Sequence, residues 1–406
     1  MKHTTVMTGA SRGIGRVAAE QILCRSSDVH LLVVARASRG AQLAAELATG
    51  GRTVSHIPAD LGSLNSVRQA ATEIRDRLDR GALPPLRGFV GNAGIQYTNA
   101  LTEGPDGLEA TFTVNVLANH VFVRLLQDRF AAPARIIITV SDTHFGDFKH
   151  NMGMVPGPAS KSPDVLARTG AFPKPGTTAA GRTAYSTSKL AAIYLVHEYA
   201  RRLPTGIGVV AYNPGFVPGS GLARNADPVS RFAMRRIMPM TALTPFATSR
   251  NAAGRHLADV ALGTTQAPTG SYVDRSRVAR SSDESYDPQR ENELWEAAER
   301  ITTRPTPAPR ADLSVAAAAD HLSAYESTCR CAPTPRIEEG AAAPEASDEM
   351  DLRMPVMDGT EATRQYPTPL TIPRQHRPTT HPHQATTPHP RVATTARVVS
   401  RARADG

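Results

Sequence analysis

The sequence predicts an α/β protein, a doubly wound parallel sheet flanked by helices and followed by a disordered C-terminal tail. Three observations carry that prediction. A short β-prone stretch, residues 4–8, runs into Gly9-Ala10-Ser11-Arg12-Gly13-Ile14-Gly15 and then a helical pattern over 16–25. Apolar runs of strand length, such as His30-Leu31-Leu32-Val33-Val34-Ala35, alternate with helical stretches, as strands buried on both faces do. After about residue 302, Pro, Thr, Ala and Arg displace the large apolar residues, and repeated Thr-Pro and His-Pro pairs leave little to bury.

Strand, glycine-rich turn and helix in that order make a nucleotide-phosphate site. Glycines let the backbone approach a pyrophosphate, and the helix start supplies N–H groups and the positive end of its dipole. The spacing here is G-x-x-x-G-x-G, over Gly9, Gly13 and Gly15, with Ser11, Arg12 and Ile14 between them. The second strand, 30–35, ends in Arg36, where an NAD-selective site would carry an acidic residue. Asp28 precedes that strand and is badly placed for the ribose. Two guanidiniums, Arg12 and Arg36, suit a 2′-phosphate, so NADP(H) is expected over NAD(H).

A helix is expected over 41–47 and a strand over 53–57. Asp60-Leu61 then opens a loop where a carboxylate accepts from an adenine amino group or simply caps a turn. A helix over 63–78 and a fourth strand over 86–90 lead to Gly91-Asn92-Ala93-Gly94. Its small residues let a cofactor lie across the strand ends, with Asn92 bracing the turn. A long helix is expected over 107–130, with Asn115 inside an apolar run. A buried Asn needs partners, and kinks the helix or holds a water.

The fifth strand, 135–140, presents Ser141-Asp142-Thr143-His144 at its carboxyl end, where ligands bind in open α/β sheets. Residues 145–181, rich in Pro and Gly, read as a long substrate insert. Tyr185-Ser186-Thr187-Ser188-Lys189 then places a phenol and an ammonium four residues apart on a helix, hence on one face. A cation one turn away is expected to draw the phenol's pKa toward the working range. A strand over 209–212 is followed by Pro214-Gly215-Phe216-Val217, and 216–243 reads as a mobile lid. A helix over 245–262, a short strand over 271–273 and a final helix over 289–301, containing Trp295, complete the first 301 residues. The tail, 302–406, is expected to be disordered.

The net charge of +9 raises a nucleic-acid partner, but its Lys and Arg are scattered. No aromatic platform of the kind single-strand binders use accompanies them. Cys24, Cys329 and Cys331 make no disulfide framework and fit a reducing compartment, and Cys329-x-Cys331 lacks further ligands for a metal. Residues 1–3 run straight into a strand, and no apolar stretch reaches about 18 residues, so neither signal peptide nor membrane span is expected. A soluble, cytoplasmic protein is the resulting expectation.

Taken together, Gly9-x-x-x-Gly13-x-Gly15, Asp60, Asn92-Ala93-Gly94, Asn115, Ser141, Tyr185-x-x-x-Lys189 and Pro214-Gly215 resemble the short-chain dehydrogenase/reductase family. The resemblance covers roughly the first 300 residues and implies a Rossmann-type fold. The insert, the Thr-His after the serine and the Trp-containing last helix are similar to the protochlorophyllide reductase and retinol dehydrogenase branch, although Asp142 stands where that branch often has a small residue. The resemblance implies Tyr185 as general acid/base, Ser141 as hydrogen-bond donor to a carbonyl, and Lys189 as the cation beside the tyrosine and the nicotinamide ribose. It implies Asn115 as holder of a relay water. Cofactor contacts are implied at Gly9, Ser11, Arg12, Gly13, Ile14, Gly15, Arg36, Asp60, Leu61, Asn92, Ala93, Gly94, Tyr185, Lys189, Pro214, Gly215 and Val217. A small carbonyl or alcohol substrate follows, with a homodimer or homotetramer formed through the Asn115 and Tyr185 helices. The alternatives are a dinucleotide-sensing regulator on the same fold and C=C reduction like that of protochlorophyllide reductase. A separate island, 348–359, resembles the phospho-acceptor loop of response-regulator receivers, with Asp351 at the acceptor position, as a fragment without the rest of a receiver.

Overall fold

A computed structural model describes residues 1–97, 101–151, 153–218 and 247–303. Among these residues one sheet holds eight strands: β1 (His3–Thr8), β2 (Val29–Ala35), β3 (Thr53–Pro58), β4 (Leu86–Gly91), β5 (Phe130–Thr139), β6 (Ile207–Asn213), β7 (Tyr272–Asp274) and β8 (Arg277–Ala279). The strand order is β3-β2-β1-β4-β5-β6-β7-β8, parallel through β7, with β8 antiparallel at the edge. The chain reverses direction across the sheet between β1 and β4, the place where open sheets of this kind form a ligand crevice.

The apolar runs read as strands because both of their faces are buried. Leu32 and Val34 turn to one core while Leu31 and Val33 turn to the other, and Ile136 and Ile138 are split from Ile137 in the same way. The second core lies under α1 (Gly13–Arg25), α2 (Ala37–Leu47) and a later helix. The first lies under α3 (Leu64–Asp79), α4 and α5. α4 runs from Ala110–Phe112 through a π-helical segment, Thr113–Leu117, into Ala118–Leu126. α5 is Thr178–Arg202, α6 is Arg250–Ala261 and α7 is Pro288–Thr303. Every residue of α5 from 184 to 199 is buried, so this helix runs through the protein rather than along its surface.

Several boundaries differ from expectation for local reasons. α5 begins seven residues before Tyr185 because the Thr177 side chain caps it, accepting from Ala180 N–H at 3.3 Å. α4 starts at Ala110 because both carboxylate oxygens of Glu109 accept first-turn amides, Thr111 at 2.9 Å and Phe112 at 2.6 Å. The insert holds two single-turn helices, Phe148–Asn151 and Pro163–Leu166. β8 was not expected, since its three residues are all exposed and leave no apolar signal.

The last helix packs across α4 and α5. Trp295 meets the rings of His120 (5.2 Å) and Tyr199 (5.0 Å) edge-on, under the Arg202 guanidinium at 4.4 Å. Glu299 pairs with Arg124 at 2.5 and 3.0 Å, and Glu291 with His197 at 2.6 Å. No helix among the described residues is long and apolar enough to cross a membrane. Most of the expected lid, the expected tail and the receiver-like island lie outside the described residues.

Candidate active site

The glycine turn is built by close backbone approach. Gly9 and Gly13 adopt φ values of +69° and +61°, which favour glycine. A Cβ at Gly9 would lie 2.7 Å from Ala93 Cα, and one at Gly15 would lie 2.2 Å from the Gly9 carbonyl oxygen. The turn therefore rests directly on Asn92 and Ala93. Asn92 Nδ2 donates to the Gly9 carbonyl at 3.2 Å, Thr139 Oγ1 donates to Asn92 Oδ1 at 3.3 Å, and Ala93 N–H donates to Thr8 Oγ1 at 3.1 Å. These bonds tie together the ends of β1, β4 and β5. Arg12, which precedes α1, makes no side-chain cap bond to the helix's first-turn N–H groups. Ser11, Ile14 and Gly15 line the same turn.

Arg12 and Arg36 are exposed, Arg36 at the start of α2. A third cation, Arg39, joins them and was missed in the sequence. Its Nη2 donates to the Ser11 carbonyl at 3.4 Å, placing it beside the glycine turn. Its position in the first turn of α2, three residues past Arg36, was the available signal. Asp60 is also exposed, and its Oδ1 accepts from Gly62 N–H at 3.0 Å, the turn-forming alternative. Leu61 packs partly buried beside it. The donor set fits a dinucleotide phosphate: backbone amides at a helix start, a glycine cradle that a Cβ would fill, and exposed guanidiniums at its rim.

Beyond β6, Gly215 takes φ +71°, and a Cβ there would sit 2.7 Å from Arg275 Nε. Its N–H donates to Asn213 Oδ1 at 3.1 Å, and Asn213 Nδ2 donates to Asp274 Oδ1 at 2.9 Å. This lattice holds Pro214 and Val217, both buried, at the strand's carboxyl end.

Ser141, Tyr185 and Lys189 come together past the end of β5. Tyr185 is 6% exposed and Lys189 3%. The Ser141 hydroxyl hydrogen-bonds the Tyr185 phenol. Lys189 Nζ donates to the Thr139 carbonyl at 2.9 Å and lies 5.5 Å from the Tyr185 ring centre. Burial raises the phenol's pKa above its ordinary value; the Ser141 bond opposes this, and the charge of Asp142 adds to it. Burial pushes the Lys189 ammonium down to about 8. The expectation that the cation draws the phenol's pKa down is thus corrected. Lys189 is committed to a backbone carbonyl and is itself destabilised as a cation, so burial outweighs proximity.

Asn115 braces rather than reaches. Its Oδ1 accepts from Ile95 N–H at 2.9 Å, while Nδ2 donates to the Ile95 carbonyl at 3.0 Å and to Ser188 Oγ at 2.9 Å. Both amide protons are used, and they join the Asn92–Gly94 loop to α5 through the π turn. Where a kink or a held water was expected of a buried Asn, the helix carries a π-helical turn, Thr113–Leu117. His144, also missed as a site residue, locks the serine. Its Nδ1 meets the Ser141 carbonyl at 2.6 Å, and Nε2 accepts from Ser282 N–H at 3.2 Å. An acceptor at Nε2 requires the proton on Nδ1, and burial pushes the ring's pKa down to about 4, which keeps it neutral. No cluster of metal ligands occurs among the described residues.

A short chain dehydrogenase profile matches residues 3–162. A short-chain dehydrogenase/reductase of Pestalotiopsis microspora is 30% identical over 232 residues, covering 55% of this chain and 73% of its own. The chain belongs to the short-chain dehydrogenase/reductase family. It is therefore an oxidoreductase of that family, with the family's dinucleotide-binding Rossmann fold. Protochlorophyllide reductase B of Oryza sativa subsp. japonica is 29% identical over 328 residues, covering 74% of this chain and 77% of its own. A Streptomyces protein named for daunorubicin C-13 ketoreduction is 35% identical over 216 residues, covering 53% and 66%. Among solved structures, an uncharacterized Mycobacterium paratuberculosis protein has a TM-score of 0.54 at 21% identity, covering 76% of this chain and 96% of its own, a likeness of fold. The family match leaves the receiver-like island without support.

Proposed function

We propose that this dehydrogenase/reductase uses NADP(H) to interconvert a carbonyl and an alcohol, with Tyr185 as the general acid/base. The observation that supports this best is the convergence of half-buried Ser141 with buried Tyr185 and Lys189 at a strand's carboxyl end. Gly9, Gly13, Gly15 and the uncapped start of α1 hold the pyrophosphate. Arg12, Arg36 and Arg39 meet the 2′-phosphate, with Asp60 and Leu61 at the adenine. Asn92, Ala93, Gly94, Pro214, Gly215 and Val217 flank the nicotinamide half. When bound, the dihydronicotinamide supplies the hydride. Tyr185 gives its phenolic proton to the reacting oxygen during reduction and recovers it in the reverse direction. Ser141 stabilises the charge developing on that oxygen. The buried Lys189 ammonium, little screened by water, offsets only part of what burial costs the phenolate left behind.

A ketone or aldehyde substrate is favoured by the 35% identity to the Streptomyces ketoreductase-named relative. C=C reduction is the second reading, favoured by the length of the match to protochlorophyllide reductase. NADPH oxidation across an aldehyde and ketone panel in the dark, with protochlorophyllide under illumination as the other arm, separates them. Dark carbonyl turnover, reduced about 10²–10⁴-fold in Tyr185→Phe, is expected. Full turnover by that variant contradicts the proposal.

The pairing through the Asn115 and Tyr185 helices meets an obstacle within the chain. α7 packs across both, with Trp295 seated between His120, Tyr199 and Arg202. We read the subunit as acting without that pairing. Sedimentation should give a monomer, and a dimer whose cross-links join α4 or α5 across subunits refutes it.

A further inference from the structure

We propose that Asp142 sets which way the Ser141 hydroxyl directs its proton, and thereby the protonation state in which the site reduces a carbonyl. This rests on the roles given to Ser141 and Tyr185 above. A serine hydroxyl has one proton and two lone pairs to distribute. Ser141 Oγ donates to Asp142 Oδ1 at 3.2 Å, accepts from Thr143 N–H at 3.3 Å and meets the Tyr185 phenol. A carboxylate only accepts, so ionised Asp142 claims the serine's proton. Ser141 then offers lone pairs, which suit the O–H of an alcohol and repel the lone pairs of a carbonyl. When Asp142 takes a proton from solvent it becomes the donor, and the Ser141 proton is released toward the reacting oxygen. The change is a hydroxyl rotation rather than a loop movement, because His144 holds the Ser141 carbonyl at 2.6 Å and is anchored by Ser282.

The surroundings of Asp142 place this exchange just below neutrality. Asp274 and Tyr272 of β7, Arg275 after it, His150 of the insert's first helix and Tyr185 of α5 all face it. Burial dominates and pushes the carboxyl up to about 6; the Ser141 hydrogen bond, Arg275 and His150 pull the other way, and Asp274 adds to the rise. His150 itself pairs with Asp147 at 2.7 Å and stacks on Phe145.

Two measurements test the proposal. The first needs no turnover: the full chain is labelled with ¹³C at aspartate Cγ, and the Asp142 resonance is identified by its loss in Asp142→Ala. It should titrate near 6 in the wild type and at higher pH in Ser141→Ala, which removes the hydrogen bond that favours the carboxylate. Titration in the ordinary aspartate range, or no change in Ser141→Ala, overturns the proposal. The second is kcat/KM for a ketone taken from the panel. Relative to Asp142→Ala, the wild type should gain about five- to tenfold as pH falls from about 7.5 to about 4.5, the worth of one redirected hydrogen bond. A step that persists in Ser141→Ala means that the carboxylate acts on Tyr185 through space, and overturns the proposal. So does a step that vanishes in His150→Gln but survives in Asp142→Ala. If Tyr185→Phe is inactive while wild type and Asp142→Ala share one pH profile, only this proposal falls. Full turnover by Tyr185→Phe removes the proposed function and this inference together.

Discussion

The two ends of the crevice use the same strand-end geometry in opposite ways. The β1–β2 end presents backbone amides and exposed guanidiniums: Arg12, Arg36 and Arg39 are exposed, and Arg39 bonds the glycine turn. The β5–β6 end presents titratable side chains sealed inside the protein, Tyr185 and Lys189. Exposed charges act in a high dielectric and are screened by salt, whereas buried ones act strongly and shift their own pKa values. The first end is therefore suited to holding a phosphate reversibly, and the second to moving a proton. Salt and pH should separate them.

The largest effect belongs to the buried end. Lys189→Met should lower kcat/KM about 10²–10³-fold, the scale seen when a preorganised charge facing the reaction is removed. Stopped-flow cofactor binding and steady-state rates, taken at low and at high salt, would show whether that loss is independent of ionic strength. A loss that shrinks as salt rises would place Lys189 functionally with the exposed cations.

The next effect is on stability. Folded Lys189 titrates at about 8 and the unfolded residue at 10.5, so between those values the unfolded chain holds a proton that the folded one lacks. Stability then rises with pH across that window. The wild type should gain up to about 3 kcal/mol between pH 8 and 10.5 that Lys189→Met does not gain, by the difference of the two pKa values. Urea denaturation of both proteins at several pH values measures the difference. Parallel curves would mean that Lys189 is better solvated than its 3% exposure implies.

The smallest effects lie at the exposed end. Arg36→Ala and Arg39→Ala should each weaken NADPH binding about three- to fivefold at low salt, as exposed ion pairs do, and leave NADH binding unchanged. Calorimetry with both cofactors checks this. Equal loss for NADH would assign the arginines to the pyrophosphate instead of the 2′-phosphate.

This contrast also explains what could be read from the sequence. Strands such as Val29–Ala35 were legible because burial on both faces demands continuous apolar runs. The Tyr185–Lys189 spacing was legible because helical periodicity puts i and i+4 together. Arg39, His144 and the Asp142–Ser141 bond depend on how separate segments meet or how a short turn closes, and composition does not report that. The Lys189 bond to the Thr139 carbonyl spans fifty residues of chain, and burial of the phenol, which raised its pKa against expectation, likewise depends on how distant segments pack. β8 was silent because its residues face solvent on both sides.

The central claim is that Tyr185 delivers the proton at the buried end while the exposed end only holds the cofactor. It is tested most directly by single-turnover reduction of a panel ketone with NADPH and with its 4-deuterated form, in wild type and in Tyr185→Phe. The variant should keep its NADPH Kd and slow the transfer step at least about 100-fold. Equal transfer rates in the two proteins would contradict it.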